Sequence, residues 1–197
     1  MSKVLDADGL DQIFRTARSY NGWQEAAIDD AALGELYTLA AFGPTSANCS
    51  PARFVFLRSN EAKERLKPHL IPGNVDKAMS ASVVAIIGYD LEFYEKIPQL
   101  FPHNPGARDW FAGNDALIEE TAIRNGTLQG AYLMIAARAL GYDCGPMSGF
   151  NRAGVDSEFF ADTTQRSNFI CCLGSGDPAS IFARSPRLAF DDACDIL

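Results

Sequence analysis

A chain of 197 residues is long enough to bury a substantial core, and one domain over residues 1–197 is the expectation. Hydrophobic residues make up 47% and charged residues 21%, as in ordinary globular proteins, while a net charge of −8 argues against nucleic acid or anionic lipid as a general partner. Five cysteines, odd in number and without a C-x-x-C pair or a leader-like start, suit a reducing cytoplasm, and two histidines give a metal site little support.

Leu10, Ile13, Phe14 and Ala17 fall at helical spacing, so residues 6–20 predict an amphipathic helix carrying Arg15, Arg18 and Ser19. Asp29 and Asp30 start a second helix with Leu33, Leu36, Tyr37 and Ala40 on its apolar face, stopped by Gly43-Pro44. Residues 53–58 read as a strand, followed by helices over about 60–69 and 74–80 and a strand over 82–89. That second strand shows no alternation, which marks it as buried on both faces. Residues 91–115 are irregular and aromatic, interrupted by Pro98, Pro102, Pro105 and Gly106; they read either as a substrate cover or as ordinary packing. Residues 115–140 form the longest helical pattern, apolar almost all round after Thr127, so this helix is central or lies against a partner subunit. Gly141 suits its end. A short strand at 142–145, a helix at 156–161 and a buried strand at 168–173 precede a tail, 174–197, that has little to bury by itself and is expected to wrap around the rest. No apolar run is long enough to span a membrane.

Two segments carry the chemistry. Gly43 to Pro51 holds two prolines, two serines, a threonine and an asparagine between a helix and a strand, a stiff connection offering hydrogen-bonding groups at a strand end. Gly145-Pro146-Met147-Ser148-Gly149 can bring backbone N–H groups and a soft thioether close to a flat ligand. Each also reads as a plain turn. Arginine forks suit phosphate oxygens, and Arg15, Arg18, Arg184 and Arg187 stand near the two ends of an acidic chain. A Gly-x-Gly-x-x-Gly opening a helix, a Walker loop and a Gly-x-Ser-x-Gly elbow are all absent.

The order Arg18-Ser19, Pro44-Thr-Ser-Ala-Asn48-x-x-Pro51, Gly145-Pro-Met-Ser-Gly-Phe150 and Arg187 resembles the FMN-dependent nitroreductase family, from about Leu10 to the C-terminus. Within it, Tyr20-Asn-Gly-Trp23 and Leu100-Phe-Pro-His103 make the chain most similar to the RutE-like branch, the malonic semialdehyde reductases of pyrimidine breakdown. The resemblance implies an α+β nitroreductase-like fold, a central mixed sheet flanked by helices, and an intertwined homodimer with FMN at the subunit interface. It further implies that Arg18, Ser19 and Arg187 hold the FMN phosphate and that Thr45, Ser46 and Asn48 approach the flavin from the partner subunit. Pro146, Met147, Ser148 and Gly149 would line the ring, and Asn125 would reach it from the long helix. Three positions depart from the family pattern: a basic residue expected near Asn21 is missing, Ser50 stands where the family commonly has Gln, and Ser148 where several nitroreductases carry an acid.

The expected activity is therefore FMN-dependent transfer of hydride from NADH or NADPH to malonic semialdehyde, giving 3-hydroxypropionate. The alternative is a broad nitroreductase or quinone reductase. Ser148 and His103 are candidate proton donors, and Arg108 is a candidate partner for the substrate carboxylate. Two further readings are a flavin-binding module without turnover and a thiol enzyme using Cys49.

Overall fold

Residues with no alternation need a sheet covered on both faces, and β3 (Val83–Asp90) has one. The computed structural model describes residues 3–197. Its other strands are β1 (Trp23–Gln24), β2 (Ala52–Leu57), β4 (Asp143–Met147) and β5 (Gln165–Gly176). The sheet runs β2-β3-β5, and β1 and β4 each pair with β5 as well. Every strand pairing is antiparallel; the mixed character expected from the sequence shrinks to one parallel bridge between Ser19 and Cys144.

The helices are α1 (Ala7–Leu10), α2 (Asp30–Ala40), α3 (Asn60–Leu66), α4 (Pro72–Ser80), α5 (Ile97–Leu100), α6 (Asp115–Ala139), α7 (Arg152–Phe159) and α8 (Phe190–Ala193). Side-chain oxygens of Asp29, Ser59, Asn114 and Asn151 accept from backbone N–H groups in the first turns of α2, α3, α6 and α7, fixing where each begins. Val83, Ala85 and Ile87 face α2 and α6, while Val84 and Ile86 face Leu66, Ala78 and Val155 on the other side. Cys171 and Cys172 consequently point to opposite faces of β5, each fully buried. They serve as small core residues.

Four expectations shift. The first helix is short: α1 passes into a wide turn at Asp11–Arg15 and stops there, because Tyr20 N donates to Cys144 O (3.0 Å) and draws the chain alongside β4. Arg18 and Ser19 therefore lie on extended backbone beside the sheet. The Asn151 cap starts α7 at Arg152, ahead of the expected position. β5 is twice as long as its apolar run because its ends pair with β3 and β1. The segment after β3 has a core of its own: Phe93, Ile97, Ala107 and Phe111 are buried against Cys49, Tyr89 and Ile118, so packing accounts for much of its aromatic content. No helix among the described residues is long and apolar enough to cross a membrane.

Candidate functional site

Five cations meet in one cleft of about 460 Å³: Arg18, Lys77, Arg138, Arg184 and Arg187, with Ser19, Asn21, Pro146 and Phe182 among its walls. They come from the segment before β1, from α4, from the last turn of α6 and from the tail. No carboxylate lines the cleft. None of the five has an ion-pair partner among the described residues; Lys63, Lys96, Arg152 and Arg166 outside the cleft share that, whereas Arg15, Arg53, Arg58, Arg65, Lys67, Arg108 and Arg124 are all paired. Their hydrogen bonds go to backbone carbonyls instead: Arg18 to Phe182, Arg138 to Ile13, and Arg184 to Arg15 and Ala17 (2.7 and 2.9 Å). Carbonyls orient a guanidinium without cancelling its charge, and Arg138 Nε is buried with no partner among the described residues. An acidic protein has thus gathered uncompensated positive charge in one place, the electrostatic requirement for holding a phosphate. The tail does lie against the N-terminal segment as expected, through Arg184. Arg15 points elsewhere, paired to Asp11 at 3.0 Å.

Lys77 is the buried member, 6% exposed. Its ammonium donates to Pro146 O at 3.2 Å, and burial holds it below the usual lysine range. Gly145 exists for this crossing: a Cβ there would lie 2.6 Å from Lys77 Cε and 2.6 Å from Tyr20 O. No side chain fits between α4 and β4 at that point.

The same helix fixes the next stretch of chain. Asn74 Nδ2 donates to Gly149 O (2.9 Å) while Lys77 holds Pro146 O, so α4 grips both ends of Pro146–Gly149. The backbone N–H groups of Ser148 and Gly149 donate to nothing among the described residues. Pro146, Met147, Ser148 and Phe169 line an open surface of about 250 Å³, and Pro146 belongs to this surface and to the cationic cleft alike. Charge at one end and a firm, partly apolar shelf with spare donors at the other meet at Pro146; the two surfaces together are the groove.

The Gly43–Pro51 loop stands apart from that groove. Ala47, Asn48 and Ser50 all have positive φ (49°, 50° and 41°). Such non-glycine conformations cost on the order of 1–3 kcal/mol each and persist only where surroundings enforce them. Here Thr45 Oγ1 accepts from Ser50 N (3.1 Å), Asn48 Nδ2 donates to Leu100 O (2.8 Å), and Asn125 Oδ1 accepts from Ser46 N (2.8 Å). Thr45, Ser46 and Asn48 line no part of the cationic cleft within one chain.

A profile of the family described as "Nitroreductase family" matches residues 15–175. The chain belongs to the nitroreductase family. It is 61% identical over 189 residues to proteins of Cupriavidus pinatubonensis and Ralstonia pickettii, both provisionally named NADH dehydrogenase/NAD(P)H nitroreductase; each match covers 95% of this chain and 96% of the relative. Among solved structures, a nitroreductase of Exiguobacterium sibiricum in complex with FMN superposes with a TM-score of 0.85 over 100% of both chains at 20% identity, which shows the shared fold.

Other residues singled out in this nitroreductase sequence find different settings. Asn125 is 1% exposed and uses both ends of its carboxamide inside the protein, Oδ1 on Ser46 N and Nδ2 on Thr121 O (2.8 Å each), so it braces the loop instead of facing a ligand. Arg108 is held by both oxygens of Glu95 (2.9 and 2.5 Å) and by Asp109 (3.1 Å), above the Tyr94 ring. Its hydrogen bonds hold the Glu95 carboxyl below the ordinary glutamate range. His103 packs on Phe101 with ring centroids 3.9 Å apart and lines neither surface of the groove. Cys49 is fully buried, and burial pushes its thiol up to about 11, which leaves almost no thiolate at neutral pH and removes the nucleophile a thiol enzyme needs. Lys77, Arg138 and Asn74 escape a reading of the sequence. Each sits on a helix as an ordinary polar residue, and only the fold brings it to the cleft or the shelf. The nearest available signal is the missing base near Asn21, a residue that lines the same cleft as Lys77.

Proposed function

We propose that this protein is an FMN-dependent NAD(P)H oxidoreductase acting as a homodimer, with the cofactor seated along the groove at the subunit interface. The single observation carrying this reading is the cleft of uncompensated cations opening onto the Pro146–Gly149 shelf. The residues fit a phosphate-bearing flavin: Arg138 Nε is a buried donor without an acceptor, and the Ser148 and Gly149 amides await one. Arg18, Ser19, Arg184 and Arg187 would hold the phosphate. Lys77 would face the ring's electron-rich edge, Pro146 and Met147 its flat face, and the two amides its polar rim. Thr45, Ser46 and Asn48 would come from the partner subunit, since in one chain they stand apart from the cleft. The exposed apolar side chains of Phe42 (79%), Phe182 (79%) and Leu188 (74%) support an obligate dimer.

When bound, the flavin supplies hydride transfer from nicotinamide to an electrophilic substrate. The protein's own tasks are to hold the ring against the shelf, to keep the Lys77 cation at its edge as negative charge accumulates, and to limit water. For substrate, the Tyr20–Trp23 and Leu100–His103 motifs favour malonic semialdehyde, reduced to 3-hydroxypropionate in a reducing cytoplasm during uracil breakdown. A carbonyl that accepts hydride leaves an alkoxide requiring a proton. Ser148, on the shelf, is better placed within one chain than His103, which would have to come from the partner. A second reading, a broad nitroarene or quinone reductase, is favoured by the Arg108–Glu95 pair, which already engages the cation expected to meet a substrate carboxylate. Turnover of the FMN-loaded enzyme on malonic semialdehyde and on a nitroarene, each with NADH and NADPH, separates the two. A yellow protein that NAD(P)H fails to bleach anaerobically would instead be a flavin carrier.

A further inference from the structure

Half of the buried face of α6 is aliphatic, with Ile118, Ala122, Leu133, Ala136 and Ala137. In its middle stand two carboxamides four residues apart, Asn125 at 1% and Gln129 at 6% exposure. Polar groups in such a place destabilise unless their hydrogen bonds are met by something specific. Both are met by the same loop: Asn125 Oδ1 accepts from Ser46 N and Gln129 Oε1 from Ala52 N, each at 2.8 Å. Residues one helical turn apart lie on one face. They therefore take the two backbone donors that bracket the strained turn at Ala47, Asn48 and Ser50.

We propose that Asn125 and Gln129 are positioning residues, a two-point amide clamp that keeps the 46–52 loop in its strained form so that Ser46 and Asn48 are presented to the flavin. The inference rests on the flavin reading above. With the clamp intact the loop is already in the binding geometry before cofactor arrives. Without it the loop relaxes, and apparent affinity falls in proportion to the fraction still competent.

Two measurements on the full-length protein test this. In wild-type apoprotein, hydrogen exchange should find the Ser46 and Ala52 amides protected like those of α6; exchange at exposed-loop rates overturns the clamp, whatever any variant does. Second, FMN affinity is titrated by flavin fluorescence for Gln129→Met, which removes the acceptor at similar volume, Gln129→Glu, which keeps an oxygen there, and Ala137→Gly, which weakens the same helix away from the loop. The expectation is a rise in Kd of about tenfold or more for Gln129→Met, with faster exchange confined to residues 43–57, and near wild-type affinity for the other two. Equal affinity in Gln129→Met, or an equal loss in Ala137→Gly, overturns the proposal. Wild-type protein that binds no FMN at all defeats the functional reading, while the exchange experiment still decides the clamp.

Discussion

The cationic cleft and the Gly43–Pro51 loop are built in opposite ways. The cleft draws Arg18, Lys77, Arg138, Arg184 and Arg187 from distant parts of the chain and leaves their charges uncancelled. The loop is one continuous stretch whose polar groups largely satisfy one another or α6, at the cost of three residues with positive φ. One region stores electrostatic potential and the other stores backbone strain. Either is a stability liability that a protein retains where it needs a ready-made site.

Removing the stored charge should give the largest effect. Combining Arg18→Ala with Arg187→Ala is expected to weaken FMN binding by about a hundredfold or more while leaving the fold intact, since charge-assisted bonds are worth about 1.5–3 kcal/mol each. Lys77→Met should cost about ten- to a hundredfold in FMN affinity, yet circular-dichroism melting should show an apoprotein no less stable, because a buried charge has been removed. An ammonium held below the ordinary 10.5 burdens the fold while it is protonated. The native state binds fewer protons than the unfolded one between its lowered value and 10.5, so apoprotein stability from this group rises with pH across that window. FMN affinity should move the other way, falling as Lys77 loses its proton. A Kd that stayed level or fell while Tm rose with pH would remove Lys77 from the site.

On the strain side, and in the packing that supports the shelf, effects should be smaller. Gly145→Ala must displace Lys77 or the Tyr20 backbone, and about 1–3 kcal/mol of stability should be lost in denaturant unfolding. Arg108→Ala is expected to change neither FMN affinity nor KM for malonic semialdehyde, because Glu95 already occupies the guanidinium. A raised KM would return Arg108 to the substrate and strengthen the semialdehyde reading.

The same contrast explains what could be read beforehand. β3, α6 and the two turn segments are local patterns, and their periodicity or proline and glycine content is visible along the chain. Arg18, Arg187 and the Pro146–Gly149 shelf were reachable through the ordered motifs. Lys77 was not, since nothing in Asp76-Lys77-Ala78 distinguishes a site lysine from a surface one; its position depends on α4 crossing β4 at Gly145. Asn125, expected to reach the ring, turns its carboxamide inward to Ser46, a contact spanning 79 positions of sequence. The end of the first helix was missed because Tyr20 answers to β4, and no local signal records that pairing.

The central claim is that the cleft exists to hold a phosphate. Comparing the dissociation constants of FMN and riboflavin, which differ only in that group, on one apoprotein preparation tests it most directly. The account predicts FMN bound about a hundredfold or more tighter than riboflavin, with the gap narrowing as salt is raised. Equal affinities for the two would show that five converging cations play no part in recognising the cofactor.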